Sequence, residues 1–166
     1  MDTRNDQDAR DKVFDLLKGI RIAMLASRGE DGAMHARPMA TSEAKSFDGE
    51  LWFFTDIHSP KIDEIRRDPD VLLTYADDDR QHYVSVAGKA EIVRDVAKQK
   101  ELWSEGNRTW FPKGAEDPDI ALLRVTVDMA EYWDAPSSTM VYAFGYLKAV
   151  TTGERPNPGE NATVRF

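Results

Sequence analysis

Residues Leu51–Lys61 read LWFFTDIHSPK. Leu51–Thr55 is apolar, aromatic and β-branched, the composition of a strand. Asp56-Ile57-His58 makes a short turn, and Ser59-Pro60 opens a helix, with Ser as N-cap and Pro at the first helical position. Lys61 then falls in the first helical turn. A strand that runs directly into a helix start gathers backbone N–H groups, the positive end of the helix dipole, a hydroxyl and an ammonium at one point. That combination suits an anion, most simply a phosphate. An ordinary N-capped helix with an exposed lysine accounts for the same residues.

Upstream, Asp48-Gly49 is a hairpin signal that would join a strand at Ala44–Phe47 to Leu51–Thr55. Before it lies a strand around Met34–Thr41 containing HARPMAT (His35–Thr41). If that strand pairs with the one ending in Phe53-Phe54-Thr55, the Arg37 guanidinium can reach the same phosphate with two N–H groups. The plainer alternative is a surface arginine beside an edge-strand proline. Further toward the N-terminus, Ile20–Ser27 reads as a buried strand. Val13, Phe14, Leu17 and Ile20 form the stripe of an amphipathic helix over Asp8–Lys18.

Downstream, the helix that starts at Ser59 ends before Asp68-Pro69, and Val71–Tyr75 is a further strand. Asp77-Asp78-Asp79 is a solvated turn. YVSVAGKAEIV (Tyr83–Val93) alternates along a long strand, with Gly88 as a bulge or bend. Asp95 caps a helix reaching Trp103, and 107–119 is loop apart from the aromatic Trp110-Phe111-Pro112. Leu122–Val127 and Ala130–Asp134 are the last strands, Thr139–Val150 the last helix. The fold expected is mainly β with peripheral helices (α+β): an antiparallel barrel of six or seven strands. One domain spans residues 1–152, and 153–166 (GERPNPGENATVRF) is a loose polar tail.

A single domain fits the 166 residues, and 41% hydrophobic residues suffice for its core. With 22 Lys+Arg against 30 Asp+Glu, the net charge of −8 repels nucleic acid and anionic membrane, without excluding a local cationic pocket. The absence of cysteine removes disulfides, thiolate catalysis and Cys-based zinc sites. The charged N-terminus does not read as a signal peptide, and no apolar run approaches a membrane span, so a cytoplasmic protein is expected.

The succession HARPMAT, LWFFTDIHSPK and YVSVAGKAEIV resembles the pyridoxamine 5′-phosphate oxidase-like flavin-binding split barrels, in particular the general stress protein 26 branch. Leu102-Trp103, Trp110-Phe111-Pro112 and Ala130–Asp134 resemble that branch as well. The likeness runs from about Asp11 to Val150. It implies a split β-barrel and a homodimer with FMN, or alternatively FAD, at the subunit interface. Arg37, Ser59 and Lys61 match positions that hold the flavin phosphate. Met39, Ala40, Phe54 and Thr55 match those along the ribityl chain and ring, and Tyr83 and Ser85 lie on a strand that approaches the ring. An aromatic of the opposite subunit often covers the ring in this family, a role open to Trp110 or Trp133.

The sequence departs from the oxidase itself. Pro60 stands where the oxidase has a second basic residue, Tyr83 where it has a glutamine, and ENATVRF lacks its C-terminal arginine and histidine motif. The resemblance therefore carries the flavin pocket and not the substrate pocket. It implies an FMN-dependent oxidoreductase of unassigned substrate, with NAD(P)H as a candidate reductant. A non-catalytic flavin store or sensor uses the same residues and stays open beside it.

Other motifs are weaker. His35, His58 and His82 lack paired metal-ligand spacing, and Asp77–Asp79 lacks the glycine and distal glutamate of a calcium loop. His35 and His58 lie near the phosphate segments without an assigned role. No G-x-G-x-x-G fingerprint marks a Rossmann site.

Overall fold

The computed structural model describes residues 2–43, 47–135, 139–153 and 159–166. In chain order the elements are β1 (Asp2–Arg4), α1 (Gln7–Leu17), β2 (Ile22–Arg28), β3 (Met34–Ala40), β4 (Glu50–Asp56), α2 (Pro60–Arg67), β5 (Asp70–Asp77) and β6 (His82–Val93). They continue with α3 (Val96–Leu102), a 3-10 turn (Glu105–Thr109), β7 (Ile120–Asp134), α4 (Thr139–Thr152) and β8 (Glu160–Arg165). No described helix is long and apolar enough to cross a membrane.

The sheet runs β1-β8-β7-β6-β5-β2-β3, with β4 on β7. β7 is its backbone. One edge pairs with β6, while the other takes β4 at 120–126 and then β8 at 129–134. Strands β3, β2, β5, β6, β7 and β4 curl into a six-membered antiparallel barrel. Among the described residues β3 and β4 share no ladder. They meet through the bridge Thr41–Phe53 and the bond from Ser42 N to Trp52 O (2.8 Å), so the barrel is split there.

Alternate residues of each strand fill the interior, as a period of two requires. Leu25, Phe53, Leu73, Val86, Leu123 and Val125 are fully buried. Each such side chain stabilises the fold by about 1.5–3 kcal/mol. Helix α1 covers one end with Val13, Leu16 and Leu17. Its start is capped by Asp6, whose carboxylate accepts from Ala9 N at 2.9 Å. Helix α2 lays Ile62 and Ile65 on the other end. Gly49 takes φ +90°, a turn conformation that a side chain would strain.

The barrel and its helices match the fold expected from sequence, with more strands. Three expectations change. Leu122–Val127 and Ala130–Asp134 are one strand, because Asp128 is the extra residue opposite Ala87 and Gly88 in a bulge of the β6–β7 ladder. Of the Ala44–Phe47 strand, residues 44–46 lie outside the described residues and Phe47 is not in a strand; β4 pairs with β7 instead. The tail expected to be loose ends in β8, which pairs antiparallel with β7 and parallel with β1. Its Ala162 and Val164 are fully buried. The burial comes entirely from distant partners.

This structure predicts that Val164→Ala lowers unfolding free energy by about 1–3 kcal/mol, the cost of emptying a buried aliphatic site. Urea denaturation measures it; an unchanged midpoint would mean that the segment is not part of the core.

Candidate functional site

At the open end of β4 the chain turns into α2 over three residues. Asp56 shapes the turn: its carboxylate accepts from His58 N (2.8 Å) and its carbonyl accepts from Ser59 N (3.0 Å). Ile57 N donates to Asp119 O (2.9 Å), tying the turn to the start of β7. Ser59 has the extended backbone of an N-cap, and Pro60 occupies the first turn. The Ser59 hydroxyl does not cap the helix, however. It accepts from Lys61 Nζ at 2.8 Å, and the same ammonium donates to Thr55 Oγ1 at 2.9 Å. The strand end, the helix start and the lysine therefore close on one another as their spacing requires.

Arg37 reaches this region from β3. β3 pairs with β2, Arg37 opposite Leu25, and not with the strand ending at Thr55. Its side chain is only 21% exposed. Nη1 donates to Ser27 Oγ (2.5 Å) and Nη2 to Glu64 Oε2 (2.6 Å). Ser27 also donates to Glu64 Oε2 (2.6 Å), and His35 Nδ1 lies 2.9 Å from Glu64 Oε1. A buried carboxylate on α2 thus gathers an arginine, a serine and a histidine from β2 and β3.

The charges act on each other. Burial lowers the Lys61 pKa below that of an ordinary lysine, and the positive charge of Arg37 lowers it further; Asp56 and Glu64 pull it back. Two cations therefore share one partly desolvated site, and a bound anion relieves both their desolvation and their repulsion. At Glu64 burial pushes the pKa up, but hydrogen bonds from Ser27, His35 and Arg37 with the Arg37 charge outweigh it and hold the carboxyl at about 2.

Arg37, Thr55, Ser59 and Lys61 are thus brought together. Met39 is buried beside them, two residues along β3, and Ala40 is exposed. The strand continues through Thr41 and Ser42 into the wall of a cleft of about 350 Å³, lined also by Phe14, Leu17, Arg21 and Trp52. Buried Tyr75, its pKa pushed up to about 12 by burial, has its hydroxyl 3.0 Å from Thr41 Oγ1. Phe54 packs edge-on against Trp103 (5.8 Å between ring centres) and at a tilt against Phe111 (6.4 Å).

The remaining expected residues lie apart within one chain. Ser85 and Tyr83 sit on the outer face of β6, where Tyr83 pairs with Trp133 and donates to Asp78 at 3.0 Å. Trp110 projects from its loop, 80% exposed. Exposed His58 faces Asp119 Oδ1 at 3.4 Å. Among the described residues no three His, Asp or Glu side chains are placed to hold a metal ion.

Sequence reasoning missed Ser27 and Glu64. Ser27 ends an apolar strand, and Glu64 within KIDEIRR looks like a solvated helix face. The available signal was spacing: Glu64 lies three residues after Lys61, hence on the same face of α2.

The sequence profile of the family described as pyridoxamine 5′-phosphate oxidase like matches residues 8–157. General stress protein 26 of Bacillus subtilis (strain 168) is 30% identical over 141 residues, 82% of this chain and 96% of that protein. A solved structure assigned to general stress protein 26 of Jannaschia sp. CCS1 superposes with a TM-score of 0.78 at 27% identity, covering 97% of this chain and 100% of its own. The general stress FMN/FAD binding protein of Xanthomonas citri is 32% identical with a TM-score of 0.69, over 80% of this chain and 93% of its own.

Because the folded-state pKa of Glu64 is depressed, its contribution to stability is complete above the ordinary value of 4.5 and lost as pH falls toward about 2. Glu64→Gln is expected to flatten this acid limb of the stability curve, followed by denaturant midpoints between pH 5 and 2. The same limb in the variant would show that Glu64 is not held ionised by these partners.

Proposed function

The chain belongs to the pyridoxamine 5′-phosphate oxidase-like family, and from that premise we propose that it binds FMN and works as a flavin-dependent oxidoreductase. The observation that carries the reading is the placement of two cations at the start of α2: Lys61, held by the Thr55 and Ser59 hydroxyls, and Arg37, bound to Glu64 one turn further along the same helix. A phosphate there accepts from Lys61 Nζ and from the Arg37 N–H groups not already engaged, while the Thr55 and Ser59 hydroxyls fix the ammonium between them. The backbone of Met39–Ala40 and Phe54–Thr55 follows the ribityl chain and ring edge. When bound, the flavin supplies hydride or electron transfer. This chain's residues bind, orient and exclude water around it. The FMN/FAD-binding relative from Xanthomonas citri supports flavin as the ligand.

The site is completed in a homodimer. Ile22, Met24, Met34, Leu72 and Trp133 are large apolar residues exposed on the sheet's outer face, and Trp110 projects into solvent. Association of two copies removes this surface from water. It also brings an aromatic, Trp110 or Trp133 of the partner subunit, over the ring.

Purified protein is expected to be yellow, to release FMN identified by mass spectrometry, and to sediment at twice its 18.8 kDa chain mass. Lys61→Ala is expected to weaken FMN by about 10–100-fold, the loss of one charge-assisted contact. A colourless protein that also ignores added FMN and FAD would overturn the reading. Reduction of the bound flavin by NADH or NADPH, followed by reoxidation with an acceptor, supports catalysis; a flavin inert to both points to storage or sensing.

A further inference from the structure

We propose that Glu64 is the positioning residue of the anion site, holding the Arg37 guanidinium in the orientation that presents its remaining N–H groups beside Lys61. The inference rests on the phosphate reading above and adds a residue to it.

A carboxylate beside two anion-binding cations opposes the binding of an anion through its own charge. Its presence there, buried and kept ionised, calls for a compensating role. The contacts supply one. The guanidinium has a rigid fork of five N–H groups. One hydrogen on Nη1 goes to Ser27 Oγ at 2.5 Å and one on Nη2 goes to Glu64 Oε2 at 2.6 Å. Two anchors at neighbouring nitrogens fix both the plane of the fork and its rotation. Nε and the second hydrogens of Nη1 and Nη2 are not used in these bonds.

The anchors are themselves fixed. Ser27 is fully buried and donates to the same Oε2 at 2.6 Å, and His35 Nδ1 lies 2.9 Å from Oε1. Glu64 is carried on α2 three residues after Lys61, so the helix that places one cation also places the carboxylate that aims the other. Arg37, on β3, would otherwise be a long flexible side chain losing rotamer entropy whenever it met a phosphate. Ordering it in advance removes that cost.

The test compares FMN affinity, read by quenching of flavin fluorescence, for wild type, Glu64→Ala, Glu64→Gln, Arg37→Ala and the Arg37→Ala/Glu64→Ala double variant. Glu64→Ala is expected to weaken FMN about tenfold, equivalent to about 1.4 kcal/mol. Glu64→Gln keeps an oxygen for Arg37 and Ser27 and is expected to bind within about threefold of wild type or more tightly. In the Arg37→Ala background Glu64→Ala adds no further loss. Unchanged affinity in Glu64→Ala, or the same loss with Arg37 absent, overturns the proposal, since a merely structural tie would lower stability without that coupling.

If Glu64→Ala does not fold, Ser27→Ala removes the other anchor and is expected to weaken FMN about threefold; no change there overturns the proposal. A ligand-free readout separates this inference from the flavin reading. The Arg37 Nε–Hε resonance, identified by its disappearance in Arg37→Lys, should be that of an ordered side chain in wild type and be motionally averaged in Glu64→Ala. A wild type that ignores FMN overturns the flavin reading alone. An averaged Arg37 signal in wild type overturns the positioning.

Discussion

The pairing of β7 along both of its edges is the constraint on which the rest of the molecule depends. A strand of this length can hold β6 on one side and two shorter strands in succession on the other. Its first half fixes the register of β4 as far as Asp56 opposite Ile120. Asp119, just before β7, binds the turn that follows through Ile57. The start of α2, and with it Ser59 and Lys61, is therefore located by the sheet and not by the helix's own capping. The second half receives β8 and closes the C-terminal chain onto β1.

The same geometry explains why cations can be concentrated in an acidic protein. A net charge of −8 disfavours extended anions such as nucleic acid, yet it acts over a long range that salt screens. Within the site, short-range geometry dominates. Lys61 is held by two hydroxyls and Arg37 by a serine and a glutamate, so their mutual repulsion does not splay them apart. Glu64 reduces the local positive charge while preserving the direction of the donors. The absence of cysteine means that redox chemistry in this chain, if present, belongs to a bound group.

The parts legible in the sequence are those set by local rules. The stripe of α1, Ser59-Pro60 at the start of α2 and Asp95 before α3 each follow from residues within a turn or two. The succession of strands along the chain and the convergence of Ser59 and Lys61 at the start of α2 are readable for the same reason. The illegible parts are non-local. β8 is short and polar in sequence and becomes core because β7 and β1 flank it. Asp128 reads as the end of a strand because the bulge partner that accommodates it lies forty residues upstream, at Ala87 and Gly88. Glu64 looks like surface until β2 and β3 bring Ser27, His35 and Arg37 to it.

A crystal structure of the protein with FMN is the decisive measurement for the anion site at the start of α2. The phosphate is expected within hydrogen-bonding distance of Lys61 Nζ and the Arg37 guanidinium, with the Arg37–Glu64 contact retained. A phosphate bound elsewhere, without contact to Lys61 or Arg37, would contradict the anion site at the start of α2.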